Sequence, residues 1–354
     1  MICLKKIFIV LFLFLPLKCY AISAESYVVM DYDTGRVLMS KNENKKKLIA
    51  STSKIMTCIL ALEKGDLKSI RKVGDEVLQA YGSAIYIQIG EEMSLEDLLY
   101  GLMLRSGNDA AIEIAYHISL YIDDFVELMN QKAYELGMKD TLFLNPHGLE
   151  EEDGKGNTST ARDMGILMKY ALHNQDFVKI IGTKKHVVKG VDKTYVWHNK
   201  NKLLSMYEYA IGGKTGYTKK AKRTLVSASR KDDKTCIVVT LNDGNDFLDH
   251  KNLCEEVFAT YQRVLLVDKE TLLYQENLQP NYYIKNNIYA LLKEEEKNDV
   301  KVEYLITNEE SYEVGVVNVY FKNQLLASEK IYKREEEKKK ENFFVRFFRW
   351  LFSW

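Results

Sequence analysis

Residues 210–229 read AIGGKTGYTKKAKRTLVSAS, and the fold of the chain depends on how this stretch is interpreted. Gly213, Lys214 and Thr215 look like the end of a phosphate-binding loop, in which glycine amides and a lysine hold a nucleotide. Such a loop needs a glycine five residues before Gly213, where this chain has Glu208, and a helix must follow it. Residues 224–229 and 236–241 instead read as two strands. The stretch therefore predicts a lysine, a threonine and a glycine on an edge-like strand.

The segments around this stretch predict a sheet combined with helices. Residues 27–31 and 35–39 read as a hairpin. Helices are predicted at residues 51–64, 95–104, 109–118, 125–136, 161–172 and 250–264. Short alternating strands then predict a small all-β domain over residues 269–332, without a catalytic grouping.

The first residues have the order of parts found in a secretory signal peptide. Two lysines precede an apolar run over residues 7–17, and small residues follow near position 21. The run is too short to favour a membrane span. We therefore expect residues 1–21 to be removed and the protein to be exported, to the outer face of the cytoplasmic membrane or the periplasm or cell-wall space.

Composition argues against nucleic acid as a partner and against a disulfide framework. The chain has 50 basic and 50 acidic residues, and loss of Lys5, Lys6 and Lys18 leaves 47 against 50, a net charge near −3. Nucleic acid is therefore not an expected partner. The odd number of mature cysteines favours buried free thiols over a disulfide framework, although one pair stays open.

The last residues predict a membrane-surface segment. Residues 333–341, KREEEKKKE, read as a solvated linker, and NFFVRFFRWLFSW follows. On a helix, Phe343, Phe347 and Trp350 share one face, whereas Arg346 and Arg349 lie opposite. Such a helix is too short to cross a bilayer but can lie in its surface. We expect residues 342–354 to contact the membrane, and the alternative is a helix packed back on the protein.

Two further groups pair hydroxyls with basic or amide side chains. Ser51 and Lys54 lie three apart at the start of the helix predicted over residues 51–64, so both project on one side. A partly desolvated lysine can act as base for a serine nucleophile. Ser106 and Asn108 lie in a short connection, where a helix cap is the default interpretation.

Ser-x-x-Lys, Ser-x-Asn and Lys-Thr-Gly, in this order, are the set used by penicillin-binding proteins and serine β-lactamases. The stretches VVMDYDTGRVLMSKNENKKKLIASTSKIMT, MLRSGNDAA, FLNPHGL, STARDMGILMKYAL, GGKTGYT and VVTLNDGNDFLDH closely resemble the low-molecular-mass D-alanyl-D-alanine carboxypeptidases, over residues 27–264. The resemblance implies an α/β (α+β) serine β-lactamase/transpeptidase-like domain over residues 25–264, with an antiparallel sheet and helices. A small β-domain and an amphipathic tail over residues 333–354 also match that layout.

The resemblance also implies a role for each residue of the three motifs. Ser51 would attack the D-Ala-D-Ala bond of a peptidoglycan stem peptide, with Lys54 as its base. Ser106 would relay a proton to the leaving D-alanine. The remaining matched residues would bind substrate: Asn108, Lys214, Thr215, Gly216 and Tyr217. Backbone amides of Ser51 and Tyr217 would form the oxyanion hole, and β-lactams would acylate Ser51.

Other features leave alternatives open. No metal or cofactor is expected, and His147 and His198 are read as structural polar residues. Lys222 stands where many relatives have glycine, which puts the shape of that turn in doubt. A class A β-lactamase would need a carboxylate for deacylation, for which Glu150 and its two acidic neighbours are candidates. An endopeptidase, or a non-enzymatic peptidoglycan-binding or penicillin-sensing protein, also stays possible.

Overall fold

A computed structural model describes residues 21–190, 193–269 and 282–334. The predicted signal peptide up to residue 20 and the predicted membrane segment from residue 335 lie outside the described residues. So does part of the predicted small β-domain, at residues 270–281.

The described residues form seventeen strands of two to ten residues. In chain order they are β1 (Ser26–Asp31), β2 (Val37–Lys41), β3 (Lys47–Leu48), β4 (Ile70–Lys72), β5 (Glu92–Ser94), β6 (Thr158–Ser159), β7 (Lys185–Lys189), β8 (Thr194–His198), β9 (Ala210–Thr218), β10 (Lys222–Lys231), β11 (Lys234–Asp243), β12 (Gln262–Val267), β13 (Tyr282–Tyr283), β14 (Ile288–Leu292), β15 (Val300–Ile306), β16 (Glu313–Phe321) and β17 (Gln324–Lys333).

The central sheet has five antiparallel strands in the order β2-β1-β11-β10-β9. Successive side chains of a strand face opposite sides, so Leu225 packs into one apolar cluster and Val226 into the other. Both faces are covered, which is why residues 236–239 are apolar without alternation. Strand β9, which carries Lys-Thr-Gly, lies at one edge of the sheet as predicted.

Helices cover both faces of this sheet. They are α1 (Lys54–Lys64), α2 (Leu95–Tyr100), α3 (Asn108–Ser119), α4 (Ile122–Glu135), α5 (Ala161–Ala171), α6 (Gln175–Gly182), α7 (Leu203–Met206) and α8 (Asp246–Thr260). Ser94, Thr160 and Asn174 cap their helices with side-chain oxygens that accept from the third helical amide. The predicted helix over residues 250–264 is wrong at both ends, because α8 begins at Asp246 and Val264 lies in β12, where it pairs with Ala290.

The small β-domain packs directly onto the sheet of the larger one. Strands β13, β17, β16 and β15 form a four-stranded sheet, and β12 pairs with β14. Arg36 pairs with Glu296 and donates to Leu291 O at 3.0 Å, and the Leu291 amide donates to Asp31 at 3.1 Å. The predicted fold class, an α+β domain with an antiparallel sheet followed by a small all-β region, is confirmed.

Candidate active site

The edge strand β9 and the turn before α1 enclose a cleft of about 680 Å³. Its walls include Ser51, Ser106, Thr215, Gly216 and Tyr217, which come from all three sequence motifs. The structure thus brings together residues that are far apart in the chain. The chemistry predicted from the three motifs would take place in this cleft.

Ser51 lies in a tight 3-10 turn, Ala50–Ser53, which precedes α1. Ala50 has φ of 49°, a left-handed conformation that costs a non-glycine residue roughly 1–2 kcal/mol. Hydroxyl groups hold the turn: Thr52 and Thr224 both donate to Ile49 O, at 2.6 and 3.0 Å. These hydrogen bonds hold the turn in place, and Ser51 lines the cleft.

Lys54 is fully buried, and its amine lies among three oxygen atoms. Its Nζ is 3.1 Å from Ser51 Oγ, 2.7 Å from Asn108 Oδ1 and 2.6 Å from the His147 carbonyl. Burial, with added repulsion from Lys214 and Lys200, lowers the pKa of Lys54 well below its usual value. A neutral amine can donate its two N–H groups to Asn108 Oδ1 and to the His147 carbonyl oxygen, which can only accept. Its lone pair is then left for the serine hydroxyl. This arrangement allows Lys54 to accept the Ser51 proton.

Ser106 follows a π-helical turn, Gly101–Arg105, and has φ of 64°. Gly107 is the N-cap residue of α3, and no side chain caps that helix. Ser106 therefore does not cap α3, and it lines the cleft instead. Asn108 begins α3 and its Nδ2 donates to Tyr81 O at 2.5 Å, so its amide faces inward in this structure.

Lys214 is buried beside Thr215 on the edge strand. Its Nζ donates to Thr215 O at 2.7 Å. Burial, and then the charge of Lys200, lower the pKa of Lys214 to about 7. An incoming carboxylate would favour its charged form. Lys54 and Lys214 are thus two buried amines at one site, and burial lowers the pKa of both.

Gly216 has no room for a side chain. A Cβ atom there would lie 2.9 Å from the backbone nitrogen of Ser51, and it would also collide with the Thr224 hydroxyl. The strand and the Ser51 turn can approach this closely only because the residue is glycine. The close approach brings the Ser51 amide next to the edge strand.

Cations missed by sequence reasoning also line the cleft. Lys200 lies 3.2 Å from Ser83 Oγ, and Arg223 lies 3.2 Å from Asp246. Lys202 is an exposed third cation on the same wall. No sequence motif singles out these residues, and the backbone carbonyls of Tyr81 and His147 leave no sequence signal at all. The cleft is predominantly cationic, which suits an anionic ligand.

The structure also places three further residues that the sequence singled out. The Glu150 carboxylate accepts a hydrogen bond from Thr218, and of the described residues that line the cleft none is Glu150, Glu151 or Glu152. Burial lowers the pKa of His147 to about 3, so this ring is neutral. Lys222 has φ of 61°, a conformation in which glycine costs least. Its backbone therefore explains why a glycine would suit that turn.

Within the described ranges, no cluster of three or more histidine, cysteine, aspartate or glutamate side chains has metal-binding geometry. The same part of the chain contains no helix with both the length and the apolar character needed to cross a bilayer.

The relatives found by sequence comparison are D-alanyl-D-alanine carboxypeptidases. A model of the family Peptidase_S11, D-alanyl-D-alanine carboxypeptidase, matches residues 16–245. The D-alanyl-D-alanine carboxypeptidase DacF of Bacillus subtilis is 40% identical over 222 residues, which are 61% of this chain and 56% of the relative. DacB2 of Mycobacterium tuberculosis is 33% identical over 218 residues, 62% of this chain and 74% of the relative. The chain thus spans little more than half the length of the first of these proteins.

Solved structures of similar fold include two penicillin-binding proteins or their homologues. A penicillin-binding protein homologue from Mycobacterium tuberculosis, Rv2911, has a TM-score of 0.65 at 30% identity and matches 69% of this chain and 95% of its own. Penicillin binding protein 5 from Haemophilus influenzae has a TM-score of 0.71 and matches 90% of this chain and 98% of its own. At 23% identity this second likeness concerns the fold alone, and its coverage extends the likeness into the small β-domain.

Proposed function

The chain belongs to the Peptidase_S11 family of D-alanyl-D-alanine carboxypeptidases, and from this premise we propose that it removes the terminal D-alanine from peptidoglycan stem peptides. The observation that carries the proposal is the pair formed by Ser51 Oγ and the buried Lys54 amine, 3.1 Å apart beside the Lys-Thr-Gly strand. A protein that only binds peptidoglycan, without acylation of a serine, would not need a lysine of lowered pKa at a serine hydroxyl.

In the proposed reaction, Lys54 takes the Ser51 proton while Ser51 Oγ attacks the carbonyl carbon between the two D-alanines. The oxyanion is bound by the backbone amides of Ser51 and Tyr217. The C–N bond then breaks, and the proton reaches the leaving amine through Ser106. Water releases the shortened peptide from Ser51 and restores the hydroxyl. The contact of Asn108 with the peptide, which the resemblance implies, stays a prediction, because its amide holds Lys54 in this structure.

The cations of the cleft support a carboxypeptidase over an endopeptidase. In this proposal Lys214 and Thr215 bind the free carboxylate of the terminal D-alanine. Lys200 adds positive charge in the same cleft, whereas Arg223 is paired with Asp246, so a leaving group that carries a carboxylate fits the site. A leaving group without a carboxylate would leave this charge uncompensated.

A β-lactamase is less well supported. Fast hydrolysis of a penicilloyl-enzyme needs a carboxylate that activates water. The Glu150 side chain is instead occupied by Thr218. We therefore expect penicillin to acylate Ser51 and to remain bound for long.

We further propose that the enzyme works outside the cytoplasm at the membrane surface. The support is sequence alone: the signal-like residues 1–21 and the amphipathic residues 342–354. A chain cut after Lys340 should lose vesicle binding, and a truncated chain that still pellets with lipid would contradict this part.

The test of the activity uses the chain without its signal peptide, alongside Ser51→Ala. Each protein is incubated with diacetyl-Lys-D-Ala-D-Ala and with benzylpenicillin and is followed by mass spectrometry. We expect release of one D-alanine and a long-lived penicilloyl adduct on Ser51, and neither in the variant. A folded protein that gives no adduct and no D-alanine would sink the enzyme proposal.

A further inference from the structure

Two of the described cysteines lie against each other behind the central sheet. Cys236 Sγ, on β11, is 3.3 Å from Cys254 Sγ, on α8. Both side chains are fully buried in the same apolar cluster. Cys58 is also buried, but it belongs to α1 and to the cluster on the opposite face of the sheet. The described residues therefore contain one adjacent pair and one separate thiol.

We propose that Cys236 and Cys254 form a redox modification site that closes to a disulfide in the exported protein. A disulfide needs a sulfur separation of about 2.05 Å, so the two sulfurs have to approach by little more than 1 Å. Cys236 is held on both sides, by its pairing with Asp31 of β1 and Ser229 of β10. The helix α8 packs on β11 and β10, so the pair meets without rearrangement of the fold.

The oxidant is an external disulfide of the glutathione or dithiol-oxidoreductase type. One cysteine thiolate attacks it, forms a mixed disulfide and releases one thiol. The second cysteine then attacks the mixed disulfide, forms the Cys236–Cys254 bond and releases the other thiol. The two cysteines lose two electrons and two protons, and the external disulfide gains them.

The timing of this reaction follows from burial. Only a thiolate attacks a disulfide, and burial raises the pKa of Cys236 well above its usual value. The folded, reduced protein is therefore slow to react. The mixed disulfide therefore forms on the exported chain before α8 covers the strand, and the Cys236–Cys254 bond closes as α8 packs onto the sheet.

The expected consequence is a tighter attachment of α8 to the sheet. The bond would close a loop of 18 residues in sequence separation, and such a crosslink restricts the unfolded chain. The first residues of α8, Asp246 and Phe247, line the cleft. The bond thus connects the rear of the sheet to one wall of the cleft, although the inference does not depend on the proposed activity.

The test uses the full chain recovered from the exported fraction, with free thiols blocked by iodoacetamide before digestion with trypsin without reductant. Cleavage after Lys234, Lys251 and Arg263 separates Cys236 from Cys254, on residues 235–251 and 252–263. We expect these two peptides joined, with a mass two hydrogens below their sum. Two separate alkylated peptides, or a crosslink to the Cys58 peptide, would overturn the proposal.

A second measurement compares melting temperatures with and without dithiothreitol. For a loop of this size we expect reduction to lower Tm by about 5–10 °C. The control Cys58→Ala should show the same decrease, whereas Cys254→Ala should show none. A decrease of equal size in Cys254→Ala would contradict the assignment of the effect to this pair.

Discussion

Replacement of Gly216 by alanine tests the close approach between the edge strand and the Ser51 turn. The backbone of Gly216 is extended, so alanine is allowed there, and the effect has to come from the added carbon alone. That carbon would lie 2.9 Å from the Ser51 nitrogen and against the Thr224 hydroxyl. The hydroxyl would have to turn away, and its hydrogen bond to Ile49 O would be lost.

Two magnitudes follow from this geometry. Loss of one neutral hydrogen bond costs about 1 kcal/mol, which lowers Tm by about 2–4 °C. Displacement of the Ser51 amide removes one of the two proposed oxyanion donors, and such a loss reduces kcat by about 10²–10³-fold. We therefore expect a large loss of activity together with a small loss of stability.

The assay measures kcat/KM on diacetyl-Lys-D-Ala-D-Ala and the rate of acylation by benzylpenicillin, since both reactions use the same oxyanion donors. Gly244→Ala is the matched control, because a Cβ at Gly244 would lie 3.5 Å from Ser23 Oγ, an ordinary contact. If Gly216→Ala is acylated by benzylpenicillin at the wild-type rate and has an unchanged Tm, the reasoning is refuted. So would an equal loss in Gly244→Ala.

Three further predictions concern charge and backbone conformation. Because the pKa of Lys214 is lowered to about 7, the free enzyme loses this charge above pH 7 and kcat/KM should decline there. In Lys214→Arg the alkaline limb should move up by more than one pH unit, and an unmoved limb in the pH profile would contradict the assignment. Burial, reinforced by the charge of a neighbouring glutamate, raises the pKa of Glu113 from 4.5 to about 7. Between about pH 4.5 and 7 the folded state therefore holds a proton that the unfolded state has released, and the free energy of unfolding falls as the pH rises. Glu113→Gln should therefore be more stable than the parent by about 1–3 kcal/mol at pH 8 and equal to it below pH 4.5, with the exposed Glu127→Gln as control in denaturant titrations; an equal difference at both pH values would argue against the titration of Glu113. Lys222→Gly should gain about 0.5–1 kcal/mol in denaturant unfolding, because Lys222 has φ of 61°. Lys219→Gly, in the same turn without a positive φ, should lose stability, and a loss in both variants would disprove the strain.

Much of the fold and of the candidate site could be predicted from the sequence. The edge position of residues 214–217 followed from the strands after them, and α1 followed from the apolar run after Ser51. The failures have specific causes. The left-handed backbone of Ser106 was not predicted, because it follows a π-helical turn that no local pattern indicates. The helix predicted up to Val264 ignored β12, which exists because it pairs with β14 from the next domain.

The sequence by itself determined the family, the order of the three motifs and the choice of serine, lysine and glycine at their positions. These depend on residue identity and short spacing, which the chain carries locally. Only the tertiary structure decided the protonation of Lys54, which depends on burial and on Asn108 and the His147 carbonyl. It also decided that Arg223 lines the same cleft as Ser51 and that Cys236 meets Cys254. Contacts between distant segments, and the desolvation that they produce, exist only when the sheet and its helices have assembled.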